Sequence, residues 1–352
     1  MLILCGGLRT DFIITAAKQV RLMQMGGNVI FGAVGARLWA RHESGDQSRD
    51  ERIAILSRVG DNWPSRWTEE LQRAGFLTDG IRNIGGQREL RTFYAYVDTN
   101  TRDDTHPERH FARLGLPLPS ALEGYVHSTP GQGDPNTYEA LAVTADDLEQ
   151  FLQDQNVQQD GTTALHIAPM NFYAQLHLPQ AARTRGVDLI SIDPGERNMW
   201  PNLMPHIEAM LSEVDVFLPS DQEVASLFPN DTQGPLARAK WFAERGPRWV
   251  VIKLGSKGCL VYARATTKQA ARQWHVPTVS VPAIDVTGAG DTFCGGFMAD
   301  FVAHGDPLRA AIRGSVAASL CIQDYGALHV LDASPDEVDR RVALLNGLAQ
   351  VL

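Results

Sequence analysis

The chain has 352 residues and a mass of 38.7 kDa, with 44% hydrophobic and 21% charged residues, material for one large α/β core or two smaller ones. A net charge of -9 with scattered Lys and Arg argues against nucleic acid or an anionic membrane as the main partner. The apolar stretch within Met1–Gly7 is too short for a signal peptide or a membrane span, so a cytoplasmic protein is expected. Cys5, Cys259, Cys294 and Cys321 lie far apart among apolar neighbours, as reduced core residues do.

In chain order, Leu2–Cys5 is a short apolar run ended by Gly6 and Gly7, which suits a buried strand, and Asp11 follows in the next loop. From Met25 to Trp39, Gly26 and Gly27 allow a close approach to a ligand and Asn28 can donate and accept. Gly32, Ala33, Gly35 and Ala36 then suit a closely packed helix. Glu43–Arg52 is polar without an apolar period and reads as a solvated loop, and Ile53–Val59 as a strand running into a Gly60-Asp61-Asn62 turn. Arg91–Val97 alternates, with Phe93, Ala95 and Val97 on one face, which predicts a half-buried strand. Asp98–Pro107 reads as a polar turn and Glu108–Leu114 as a second short strand, so a hairpin is the simplest account. Within it His106, Arg109 and His110 are either contacts to substrate or partner chain, or members of a solvated turn.

Ala145–Gln153 has the pattern of an amphipathic helix. Ala164–Ala168, Val187–Ile192 and Val214–Leu218 are short apolar strands separated by helical stretches, the alternation of βαβ units. That predicts a mostly parallel sheet with ligands at the carboxyl ends of its strands. Trp249–Tyr262 reads as strand, glycine-bracketed turn and strand. Asp306 and Pro307 open a helix that runs through the Ala-, Ser- and Gly-rich Ile312–Ile322 and is closed by Gly326 and Ala327, and Ser334 to Glu337 forms a capping box for a terminal helix.

The chain is organised around Asp285–Met298, D-V-T-G-A-G-D-T-F-C-G-G-F-M. Two glycines around an alanine, then an acid, open a run in which Phe293, Phe297 and Phe301 recur every fourth residue, so a tight turn feeds a buried helix. The first turn of such a helix has unpaired N–H groups and a partial positive charge, a site for phosphate oxygens. Asp291 beside that phosphate is placed to take a proton from an attacking hydroxyl; alternatively it caps backbone amides.

The full run resembles the C-terminal signature of the ribokinase-like (PfkB-type) carbohydrate kinases, and Met25–Trp39 resembles their N-terminal one. The resemblance implies an α/β fold, a ribokinase-like mostly parallel sheet flanked by helices, with a small β-sheet lid. It implies one domain over 1–352 with the lid inserted at about 11–25 and 85–114, and a homodimer formed through that lid. It makes Asp291 the general base and the amides of Gly288, Ala289 and Gly290 the anion hole, with Asp11, Gly27 and Asn28 on the sugar. Asp193–Trp200 is similar to the D-x-N-x-R-x-x-L-W stretch of the fructokinase and ketodeoxygluconate kinase branch, with Gly195 in place of the Asn. Asp193 and Arg197 are therefore expected at the substrate, or else as a salt bridge across a loop. Lys253, Gly255 and Gly258 stand where the family flanks ATP, and Ser315 on the adenine side. Glu223 matches the acid that organises Mg²⁺ through water, with Ser220 in place of an Asn. A monovalent cation such as K⁺ is common in relatives near Asp285 and Thr287.

The expected activity is transfer of the γ-phosphoryl of ATP to a hydroxyl of a sugar, sugar acid or related polyol. A nucleoside kinase on the same fold and a non-catalytic sugar- or nucleotide-binding regulator are the two other readings. A dinucleotide-binding dehydrogenase is excluded, because Gly6-Gly7 is not followed by a G-x-G-x-x-G turn.

Overall fold

The computed structural model describes residues 1–44, 52–97, 102–127, 132–155, 161–230 and 232–352. The first half of the chain contains β1 (Leu2–Cys5), β2 (Arg9–Ile14), β3 (Val20–Gly26), α1 (Asn28–Ser44), β4 (Ile53–Val59), α2 (Ser65–Arg73), β5 (Ile81–Asn83), β6 (Arg91–Tyr96), β7 (Arg102–Asp103), α3 (Pro107–Arg113) and α4 (Ala145–Asp154). The second half contains β8 (Ala164–Ile167), α5 (Phe172–Thr184), β9 (Leu189–Ile192), α6 (Met204–Leu211), β10 (Val216–Phe217), α7 (Asp221–Leu227), α8 (Gly234–Ala243), β11 (Trp249–Lys253), β12 (Cys259–Ala263), β13 (Arg272–Val276), α9 (Ala289–His304), α10 (Pro307–Cys321), α11 (Pro335–Leu348) and β14 (Gln350–Val351).

Ten strands form the main sheet in the order β14-β13-β12-β11-β10-β9-β8-β1-β4-β5. Every pair from β5 to β11 is parallel, and β12, β13 and β14 are added antiparallel at one edge. Alternation across the pleat divides the core. Leu2 and Leu4 of β1 face a layer containing α1, α9 and α10, whereas Ile3 and Cys5 face a layer containing α4, α5, α6 and α8. Both faces are covered, which is why β1 and β8 are buried along their whole length and read as continuous apolar runs. The four cysteines are buried and free of disulfides, as expected. Among the described residues no helix is long and apolar enough to cross a membrane.

A second sheet, β3-β2-β6-β7, stands apart from the first and forms the small lid. Phe12 and Ile14 of β2 pack with Phe93 and Ala95 of β6 and with Phe111, Leu122 and Tyr125 as a separate apolar cluster. Here one expectation is corrected. Residues 108–114 are not a strand: α3 occupies Pro107–Arg113, and the strand antiparallel to β6 is the short β7. Proline at the first helical position favours the turn, and Pro107 and Phe111, one helical turn apart, are its buried residues. His110 is 2.9 Å from Asp103 and exposed His106 is 3.2 Å from Glu108, local pairs within this region. Helix α1 continues to Ser44, and of the expected loops over Glu43–Arg52 and Asp98–Pro107, residues 45–51 and 98–101 lie outside the described residues.

Candidate active site

Helix α9 begins at Ala289 with Gly288 as its N-cap at φ 74°. A side chain there would meet the Phe31 ring, and the positive φ disfavours any L residue, so glycine is required twice over. Asp291 falls in the first turn, beside backbone N–H groups that have no intrahelical acceptor. The turn before the helix is braced from within. The buried Asp285 accepts the Thr287 N–H through Oδ1 at 3.0 Å, and the Thr287 hydroxyl meets the Tyr96 hydroxyl of the lid at 2.7 Å. Burial raises the Asp285 carboxyl above its ordinary range against the pull of those Thr287 bonds.

This turn opens onto a cavity of about 550 Å³ that Asp11, Gly27, Asn28, Arg197, Glu223, Thr287, Gly288 and Asp291 all line. Residues distant in sequence meet here because β1 and β10 of the parallel sheet end at the same edge of the body, and the lid strand β2 brings Asp11 to it. Gly27 leaves β3 at φ 103°, where a side chain would strike the Gly7 carbonyl oxygen. Asp11, almost fully buried, sits where the β2–β3 register shifts. The Asn28 side chain accepts the Gly7 N–H at 2.8 Å and donates to the Pro169 carbonyl at 2.5 Å, pinning the ends of β1 and β8 together. Ser220 and Glu223 form a reciprocal capping box on α7, with the Ser220 N–H donating to Glu223 Oε2 at 2.6 Å. Burial first, and Asp193 second, push the Glu223 carboxyl up to about 7 despite the nearby Lys253 ammonium.

Arg197 lines this cavity, whereas Asp193, Lys253, Gly255, Gly258, Gly290 and Ser315 lie outside its lining. Asp193 is buried and ion-paired with Lys253, and Arg197 bonds Asp104 at 2.9 Å, so the salt bridge between Asp193 and Arg197 is replaced by two others. Gly255 and Gly258 bracket the turn between β11 and β12; a Cβ on Gly255 would meet open space, whereas one on Gly258 would strike the Val276 carbonyl oxygen. Ser315 is buried on α10, and Gly290 is exposed on the first turn of α9. Arg9, Asp104, Glu139 and Trp200 also line the cavity without having been singled out. Arg9 shares a strand face with Asp11, two residues on, a signal that period-two reading could have used. Glu139 sits in an irregular stretch and carried no signal.

Among the described residues no group of three His, Cys, Asp or Glu could hold a metal. Glu223 presents one carboxylate to the cavity, which fits Mg²⁺ bound mostly through its own water. The side-chain-free positions 288 and 290 fit a phosphate at the start of α9.

The model of the pfkB family carbohydrate kinases matches residues 131–333. The chain is 34% identical over 153 residues to an uncharacterized sugar kinase of Archaeoglobus fulgidus, a match spanning 42% of this chain and 56% of that relative. In fold it is similar to a putative ribokinase II of E. coli solved with ATP and Mg²⁺, at a TM-score of 0.68 and 19% identity over 97% of this chain and 99% of that one. It is likewise similar to a nucleoside kinase of Burkholderia thailandensis solved with inosine, at a TM-score of 0.65 and 15% identity over 99% of both chains.

Proposed function

Because the chain belongs to the pfkB family of carbohydrate kinases, we propose that it transfers the γ-phosphoryl group of ATP to a hydroxyl of a sugar, a sugar acid or a related polyol. The observation that carries this reading is the meeting of Asp291 with Asp11 and Asn28 across one cavity at the open end of α9. An acceptor held by Asp11, Gly27 and Asn28 presents its hydroxyl to Asp291, which takes the proton as the new P–O bond forms. The amides of Gly288, Ala289 and Gly290 hold the negative charge that develops on the transferred group. Glu223 would hold Mg²⁺ through water, and Asp285 with Thr287 would hold K⁺. The divalent ion supplies charge neutralisation on the phosphates when bound. Gly255, Gly258 and Ser315 mark the side from which ATP enters.

A second reading, phosphorylation of a nucleoside, is favoured by the half-exposed Trp200 and by Tyr94, two aromatic side chains lining the same cavity. Both readings are tested by ADP release from ATP and Mg²⁺ across sugars, sugar acids, polyols and nucleosides, with Asp291→Asn in parallel. The expected result is turnover of one acceptor class and a loss of about 10²–10⁴-fold in kcat for the variant, with acceptor binding kept. Ligand binding without any turnover would replace catalysis by a regulatory role.

A further inference from the structure

We propose that Lys253 is a fixed buried cation that strengthens polyphosphate binding at the start of α9, and that Asp193 holds it there as a positioning residue. The proposal rests on the phosphoryl-transfer reading above. Lys253 ends β11 and Asp193 follows β9, two strands away across β10, so the carboxyl ends of the sheet bring the two together. The Lys253 side chain is 12% exposed and that of Asp193 3%. The ammonium donates to Asp193 Oδ2 and lies 3.7 Å from Cys294 Sγ on α9.

Two features indicate that the pair is more than a stabilising contact. The first is that Asp193 Oδ1 is buried without a hydrogen-bond partner among the described residues. A pair with an unsatisfied oxygen is a poor way to gain stability, because apolar residues of similar volume usually serve as well or better. The second is its direction. A Cβ on Gly290 would sit 3.7 Å from Lys253 Nζ and 4.0 Å from Cδ, with no atom of Asp193 within 4 Å. Gly290 is exposed and is the second residue of α9. The positive end of the pair therefore lies directly beneath the amides that face an incoming anion, where the helix end is already positive. The ammonium needs no movement to act, since a charge a few ångströms below the surface adds to that field through the backbone.

The test is calorimetric binding of ATP, ADP and adenosine at fixed Mg²⁺ to the wild type, to Lys253→Arg and to the double variant Lys253→Met/Asp193→Asn, with thermal melts alongside. The double variant removes both charges and leaves neither buried alone, so it is expected to melt near the wild type. Its ATP and ADP affinities should fall about tenfold or more while adenosine is unchanged, and Lys253→Arg should restore them. A double variant that binds ATP as the wild type does, or that loses adenosine equally, overturns the proposal and leaves the kinase reading intact. A wild type that binds no nucleotide overturns both. Should the double variant fail to fold, Asp193→Asn alone, which keeps the lysine but loosens the hold that positions it, is expected to bind ATP and ADP more weakly than wild type with adenosine unchanged. ATP binding there as tight as in the wild type overturns the proposal.

Discussion

Glu223, on α7 just after β10, and His166, near the carboxyl end of β8, are buried titratable side chains, and their environments move them in ways that pH can read. His166 is fully buried on β8, bonded to Ser191 Oγ at 2.9 Å, and burial drives its imidazole down to about 4. The unfolded chain therefore binds a proton there near pH 6.5 while the folded chain does not. The stability this neutral imidazole contributes is complete above pH 6.5 and is lost as pH falls towards 4, on the order of 3 kcal/mol in all. Urea unfolding at pH 7.5 and 4.5 should show that loss in the wild type and a much smaller one in His166→Gln. Glu223 has the opposite sign. With its carboxyl at about 7, above the unfolded value, its contribution is present below pH 4.5 and lost as pH rises through 7. In activity the same titration appears differently: under the proposed function Glu223 would organise Mg²⁺ in its charged form, which is depleted below pH 7. The Mg²⁺ concentration for half-maximal turnover should accordingly rise as pH falls from 8 to 6, and Glu223→Gln should remove that dependence while raising the requirement throughout.

Helix α9 carries the turn to which the proposal assigns catalysis, and α1 holds it in place through glycines. A Cβ on Gly295 would strike the Gly32 carbonyl oxygen, and one on Gly35 the Thr292 carbonyl oxygen, so the two backbones touch where side chains would normally separate them. Gly295→Ala should cost about 1–3 kcal/mol by overpacking, visible as a lowered urea midpoint, with kcat reduced because the 288–291 turn shifts with the helix. This contact was legible as a stripe of small residues in Met25–Trp39, just as the stacked Phe293, Phe297 and Phe301 were legible from their spacing of four. The central strands were readable because burial on both faces leaves an unbroken apolar run. Segment 107–113 was not, since seven residues with two apolar anchors satisfy helix and strand alike and only packing on Phe93 selects between them. Motif residues of the site were readable because local backbone geometry demands them, as at Gly27 and Gly288. The pairing of Asp193 with Lys253 was not, because it joins residues 60 apart whose meeting depends on strand order. Arg197 with Asp104 is the same kind of case, a contact between body and lid.

At the level of the whole molecule the question is how a lid made of its own sheet and its own small core can govern chemistry on the body. Strand β3 at its edge exposes Leu22 and Met23, and from this apolar pair we propose a homodimer through the lid; Leu22→Glu/Met23→Glu should lower the sedimentation coefficient to that of a single chain. The connections to the catalytic turn are more specific. Tyr96 at the end of β6 bonds Thr287, two residues past Asp285. Tyr325 donates to Gln19 of the lid at 2.6 Å while Arg21 lies 4.2 Å over the Tyr325 ring. These contacts tie the lid to the body beside the turn that precedes α9, and under the proposed function a lid released there would admit water beside a phosphate and allow hydrolysis instead of transfer. Each hydroxyl bond contributes about 0.5–1.5 kcal/mol, so removing both in Tyr96→Phe/Tyr325→Phe should shift the closed population by about tenfold while leaving the fold intact. The measurement is the ratio of ADP released to acceptor phosphorylated. It should stay near one in the wild type and rise several-fold in the double variant, with the acceptor KM rising too. A ratio unchanged alongside a raised KM would mean that these tyrosines position the acceptor and that water is excluded by the body alone.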